Sequence, residues 1–413
     1  MHRLRQRAAN RACPVALIAL TLASGAVRAQ ASHEHPRRSF EAALHAIGLL
    51  THVDPAVGGE SMTEGYLTQP LIMLHGASAG RTFEALLTID FEGLTLDRGE
   101  LTPGAWGEGY IDRRHPHAYV HEAIVTMRAT AAGAKFSLAA GRGFAPFGTD
   151  DPMMRPFVKY PVNHHLAQVL ERSVVVVAAR RGPLLLEGAL FGGDEPTSPG
   201  RAPKAGRFAD SWSTRLTVTL LPGLEASGSA ARVESPENRS GGGLDQRKWS
   251  AAVRWSADRD RGPHYALIEW ARTDESLAGP TLFTYSSLLG EVSARLHGAD
   301  VSLRLERTTR PEEERTLDFF RSPRPIADFH IMGITRWEIA TVAVRLSDAT
   351  LGPLRMSPFA EASLAHPVQH RRPSLFIPET FYGSDRLWTL SAGIRFGLFA
   401  RAHSMGRYGV AER

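Results

Sequence analysis

Cysteine is almost absent from this chain: Cys13 is the single one in 413 residues. It falls in an N-terminal stretch that reads as a leader, so the exported part carries none. That excludes disulfide staples, thiolate metal sites and a cysteine nucleophile. Long hydrophobic runs are missing too. The most apolar later stretch, 174–191, is interrupted by Arg180, Arg181, Gly182 and Pro183, well short of the roughly 20 residues that a spanning helix needs. Motifs of catalysis are also lacking. There is no GxSxG elbow, no phosphate-binding loop and no HExxH pair, and the glycines at 141 and 143 lack the strand–helix setting of a dinucleotide site. No catalytic residue, cofactor or metal is expected from these patterns.

Net charge misleads until the leader is set aside. The formal value is +5, but Arg3, Arg5, Arg7, Arg11 and Arg28 precede residue 30 with no acid among them. The remainder is near neutral, so nucleic-acid binding loses its electrostatic support. Arg3, Arg5, Arg7 and Arg11 form the basic region of a secretory signal. A short apolar core over 15–23 and a small-x-small site at Val27-Arg28-Ala29 complete it. Residues 1–29 are therefore expected to be a cleaved signal peptide and 30–39 a periplasmic N-terminal extension.

What the sequence does have is period-2 alternation. Trp388, Leu390, Ala392, Ile394, Phe396 and Leu398 alternate with Thr389, Ser391, Gly393, Arg395 and Gly397. The same pattern recurs, with apolar residues facing one way and polar ones the other, as a two-faced strand requires. The segments fall near 40–52, 64–75, 81–92, 118–130, 135–143, 172–180, 184–192, 211–221, 224–234, 247–257, 264–273, 282–297, 300–309, 329–346, 355–365 and 386–399. Alternation in the first two is poor, and Pro70 is a defect for a paired strand. Their lengths suit a tilted crossing of a bilayer, about 9–11 residues, rather than the mean globular strand of about 5–6. Aromatics stand near segment ends (Trp212, Trp249, Trp255, Trp270, Trp388), where an interfacial girdle would lie.

Links between the segments alternate in length. Short ones fall at 76–80, 131–134, 181–183, 222–223 and 297–299. Long polar ones fall at 93–117, 145–171, 193–210, 236–246, 310–328 and 366–385. This parity matches an all-β, transmembrane antiparallel β-barrel of about 16 strands with short periplasmic turns and long extracellular loops. The barrel is expected over 40–399, followed by a C-terminal periplasmic tail over 400–413. A soluble secreted β-sandwich binding protein accounts for any one alternating strand equally well, but not for the loop parity or the strand lengths.

About sixteen strands leave room for an aqueous lumen. The polar faces then direct Arg215, Arg254, Arg295, Arg304, Arg345 and Arg395 inward, with Glu84, Glu122, Glu269, Glu291, Glu306 and Glu361. These are candidate pore-lining residues, biasing passage toward anions, or else cross-strand pairs that set lumen shape. The 144–172 stretch, with four prolines and several aromatics, implies a defined path. It is a candidate constriction loop carrying Asp150, Asp151, Arg155, Lys159, His164 and His165; the alternative is a stiff cap at the barrel mouth. Histidines at 33, 35, 115, 117, 121, 164 and 165 invite a metal reading. No recognised ligand spacing occurs, and neighbouring residues of an extended chain point to opposite sides.

In layout the chain resembles bacterial outer-membrane porin-like barrels: signal peptide, no mature cysteine, alternating loops and an aromatic-rich late strand. One difference is that such chains end on an aromatic residue read by the assembly machinery, whereas here Phe399 is followed by fourteen residues. The resemblance implies outer-membrane localisation in a Gram-negative cell and passive diffusion of small polar or anionic solutes. The partners it implies are outer-membrane lipid, the barrel-assembly machinery and the solutes themselves, and a homo-oligomer is compatible with it. A hydrolase with a lip-sited pair drawn from Asp150/Asp151 and His164/His165 is the enzymatic alternative.

Overall fold

A computed structural model describes residues 39–96, 99–101, 113–114, 117–149, 151–196, 198–313, 331–371, 374–399 and 405–412. The expected signal peptide and residues 30–38 of the expected extension, with His33 and His35, lie outside them, as do His115 and Asp150. Sixteen long strands follow in chain order. They are β1 (Ser39–Asp54), β2 (Met62–Ala77), β3 (Phe83–Asp90), β4 (Val120–Ala131), β5 (Ala134–Gly143), β6 (Arg172–Arg181), β7 (Leu184–Phe191) and β8 (Ser211–Leu221). The second half comprises β9 (Leu224–Val233), β10 (Asp245–Ser256), β11 (Gly262–Ser276), β12 (Thr281–Leu296), β13 (Ala299–Glu313), β14 (Ile331–Leu346), β15 (Leu354–Gln369) and β16 (Leu387–Phe399).

Each strand pairs antiparallel with its sequence neighbours, and the sheet closes where β1 meets β16, from Ala43 opposite Phe399 to Asp54 opposite Trp388. Closure removes both sheet edges, so every strand finds partners for its backbone N–H and C=O groups, as hydrocarbon demands. The expected sixteen-stranded all-β barrel is what forms, and the sandwich alternative is overturned by the closing pair. Connections on one rim span 78–82, 132–133, 182–183, 222–223, 257–261, 297–298 and 347–353. Those on the opposite rim span 55–61, 91–119, 144–171, 192–210, 234–244, 277–280 and 370–386, while 314–330 lies outside the described residues.

Alternation sorts side chains across the wall. Trp212, Leu216, Val253, Ile268, Trp270, Val292, Leu305, Leu364 and Leu390 all stand exposed on the outer face. Their sequence neighbours Ser213, Arg215, Ala252, Glu269, Glu291, Arg304 and Ser391 are buried on the inner one. Trp212, Trp249, Trp270 and Trp388 lie nearer the long-loop ends of their strands, forming an outer aromatic band on that side.

Pro70 sits where the ladder slips. His45 faces Leu71 and Ile47 faces Thr68, so Gln69 and Pro70 form a bulge, with Gln69 at φ 50°. A bulge accepts a residue without an N–H, and it shifts the inward set from Thr68 to Leu71, Met73 and His75. The alternation of β2 is therefore intact on each side of the slip and broken across it.

Candidate functional site: the occupied lumen

The segment 144–171 leaves β5 and crosses the interior rather than capping the mouth. Phe147, Phe157, Val158, Tyr160, Val162, Leu166 and Val169 are all buried. Val158 packs among Ile47, Leu49 and Phe359, while Leu166 and Ala167 pack against Ala271, Tyr285 and Ile334. Contacts with β1, β11, β12, β14 and β15 can all be made by one short segment only from inside the barrel. Gly148 permits the path: at φ +70°, an added Cβ would stand 1.7 Å from the Ala167 carbonyl oxygen.

The inner-face charges hold this segment. Glu361 accepts the Val158 and Lys159 N–H groups at 2.9 and 3.2 Å, and Glu306 accepts the Val162 N–H at 2.7 Å. Glu269 accepts from Thr149, Arg155 and Asn163. Arg304 binds Glu291 at 2.7 Å, donates to the Lys159 carbonyl and lies 4.0 Å from the Phe157 ring centre. Arg215 grips Glu187 through two bonds of 2.7 Å and donates to the Gly148 and Gly406 carbonyls. Arg395 donates to the Phe157 carbonyl at 2.9 Å. Burial opposes charge on Arg155, yet Glu269 and Glu291, on Arg155 Nη2 at 3.0 Å and Nη1 at 3.7 Å, raise its guanidinium above the ordinary range. Lys159 reaches Glu100 at 2.9 Å and also bonds the Tyr66 hydroxyl.

Residues read from sequence as lining water thus divide into two groups. Arg215, Glu269, Glu291, Arg304, Glu306 and Glu361 are buried against protein and anchor the crossing segment. Glu84 binds Arg81 and Arg128 near the short-turn rim. Arg254 lies 3.8 Å from Glu225. Arg295 and Arg345 bind Asp300 at 2.8 and 2.6 Å. Of these residues, Arg345 and Arg395 border a cavity of about 570 Å³ in the short-turn half, together with Arg155, His45, Asp258, His264 and Tyr265.

The C-terminal stretch differs from expectation. Residues 405–412 do not trail away as a tail but lie against the inner wall. Tyr408 donates to Glu122 at 2.8 Å and accepts the Phe144 N–H at 2.9 Å. Val410 packs on Ala178 and Leu185, and Glu412 meets Arg81 and Arg128. Burial and then the Glu122 charge push the Tyr408 phenol well above its ordinary pKa, keeping it a donor. The expected lip also moves inward. His164 opens a buried helix, His164–Ala167, that packs on β11 and β12, and its ring meets Tyr160 and His165. His165 contributes its carbonyl to Lys248. Asp151 instead faces His121, at 3.7 Å.

No family model and no curated protein matches the sequence. Among solved structures, an anion-selective porin from Comamonas acidovorans is similar over 88% of this chain and 100% of that one, with TM-score 0.52 and 11% identity. Outer-membrane expressed OmpT of Vibrio cholerae is similar over 89% of this chain and 99% of that one, with TM-score 0.50 and 8% identity. The chain has the closed-barrel fold of these outer-membrane proteins. At these identities the likeness is one of fold, and it fits the apolar outer belt already described.

The barrel also carries a histidine–carboxylate group at the long-loop end of its β3–β4 wall. His117 and His121 stack with ring centres 4.9 Å apart, and His121 Nδ1 lies 2.8 Å from Glu171. Burial would raise the Glu171 carboxyl, but His117 and the His121 bond hold it down at about 2. Both histidines stand out in the sequence but their carboxylates do not, because Asp90, Asp151 and Glu171 are distant in sequence and reach them only through the β3–β4 pairing and the inward path of 144–171.

Proposed function

We propose that the protein is an outer-membrane channel for passive diffusion of small polar solutes, with a preference for anions. The carrying observation is the cavity under the crossing segment, bordered by Arg155, Arg345 and Arg395. A concave space where three guanidinium groups outnumber one bordering carboxylate, Asp258, favours entry of anions over cations. The anion-selective porin of similar fold is in keeping with this reading. The 144–171 segment acts as the constriction, setting which solutes pass. The leader directs export and is cleaved after Ala29, the assembly machinery reads the Phe399 end of β16, and the barrel resides in the outer membrane with lipid around its apolar belt. Hydrolysis is the weaker reading, since His164 is buried in the lumen instead of standing at a water-facing lip.

Planar-bilayer recordings in a salt gradient test the channel. Wild-type protein should carry current with an anion-selective reversal potential. The Arg345→Gln/Arg395→Gln double variant should move that potential toward zero. Absence of current, or selectivity that ignores both arginines, would refute the proposal.

A further inference from the structure

Asp90 ends β3, His117 and His121 flank the start of β4, and Asp151 lies on the crossing segment. All four are buried, none exposed by more than 3%. The ligand-type atoms of Asp90, His117 and His121 lie within 4.8 Å of one another. Asp151 Oδ2 is 3.7 Å from His121 Nε2.

Three of the four side chains, those of His121, Asp151 and Asp90, are oriented by a partner outside the group. Glu171 fixes His121 through Nδ1, which turns Nε2 toward the others. Asp151 Oδ1 accepts the Met153 N–H at 2.7 Å. Asp90 Oδ1 accepts the Glu92 backbone N–H at 2.8 Å, and the Glu92 carboxylate in turn accepts the backbone N–H of His117. Among the described residues, neither His121 Nε2 nor Asp151 Oδ2 has a hydrogen-bond partner. Two buried, unsatisfied polar atoms facing each other are costly unless something joins them. Their separation is long for a hydrogen bond. It is close to the spacing of about 3.3–3.6 Å between ligands bound at about 2.0–2.2 Å around a tetrahedral ion.

We propose that Asp90, His117, His121 and Asp151 bind one divalent first-row transition-metal ion, and that the ion fastens the 144–171 segment to the β3–β4 wall. The donor set of two imidazoles and two carboxylates fits zinc-like ions. Calcium and magnesium favour shells built from oxygen alone, and the absence of thiolate disfavours soft monovalent copper. Glu171 is the outer partner that sets His121 in its ligating tautomer. The site stands on the barrel geometry and is independent of whether the lumen conducts.

The test uses the untagged mature chain in detergent, stripped by a chelator and titrated with zinc by calorimetry and with cobalt by absorption. Wild-type protein should bind one tight equivalent, with cobalt bands of imidazole coordination. His121→Ala should abolish that equivalent. Asp151→Asn, nearly isosteric and retaining the Met153 contact, should weaken it, and Glu171→Gln should weaken it by about 10–100-fold. Heat-modifiable gel mobility reports whether each variant is folded; should His121→Ala fail to fold, Asp151→Asn decides. No tight equivalent in wild-type protein, or one that survives unchanged in the folded variants, would overturn the proposal.

Discussion

Glu361 shows how a single inner-face residue acts in this barrel. It sits on β15 with alternating neighbours Ala360 and Ala362 turned outward, and its two oxygens accept consecutive N–H groups of the crossing segment. A carboxylate that fastens backbone is a different device from one that lines water. Removing it leaves two buried donors unsatisfied, at about 1–3 kcal/mol each. Glu361→Ala should therefore lower amide hydrogen-exchange protection at Val158 and Lys159 by tenfold or more while the strands stay protected. Unchanged protection there would show that the segment is held elsewhere. Which way Glu361, Arg304 and Arg215 point follows from alternation, since a charge turned to hydrocarbon at the bilayer midplane costs about 2–4 kcal/mol for Arg. What they touch does not follow. Their partners Val158, Lys159 and Gly148 lie far away in sequence and meet them only through the path of a loop that has no periodicity to read.

At the scale of elements, alternation is legible where the inner face meets polar groups or water, and it fades where the inner face meets protein. Along β16, Trp388 to Leu398 shows the full pattern because Thr389, Ser391 and Arg395 point inward. On β1 the inward set is mostly apolar, with Ala43, Ile47, Leu49 and Val53 beside His45 and Thr51, and Ile47 and Leu49 pack on Val158. On β6, Val174 and Val176 pack in one cluster with Phe147 and Tyr408. Both faces are then hydrophobic and the period-2 signal is lost, for a physical reason that lies in the crossing segment. That segment is the element whose loss should matter most. Deleting 148–166 should leave a heat-modifiable barrel, because the strand ladder does not depend on it. Single-channel conductance should rise at least twofold as the lumen fills with water. A barrel with unaltered conductance would mean that the segment does not restrict passage.

For the whole molecule, two opposed surfaces have to be satisfied by one sheet. The outside must shed charge, and it does so with Leu216, Ile268, Trp270, Leu305 and their neighbours. The inside must hydrate or pair its charges, and it does so with buried ion pairs, the inserted segment and residues 405–412. Trp270 and Trp337 report the two sides separately: Trp270 is 40% exposed on the outer face of β11, and Trp337 is fully buried on the inner face of β14. Single-tryptophan variants retaining one or the other can be reconstituted in vesicles whose acyl chains carry bromine. Emission from Trp270 should be strongly quenched and that from Trp337 nearly untouched. Equal quenching of the two, or emission indifferent to bromine in both, would contradict a barrel whose apolar face meets lipid.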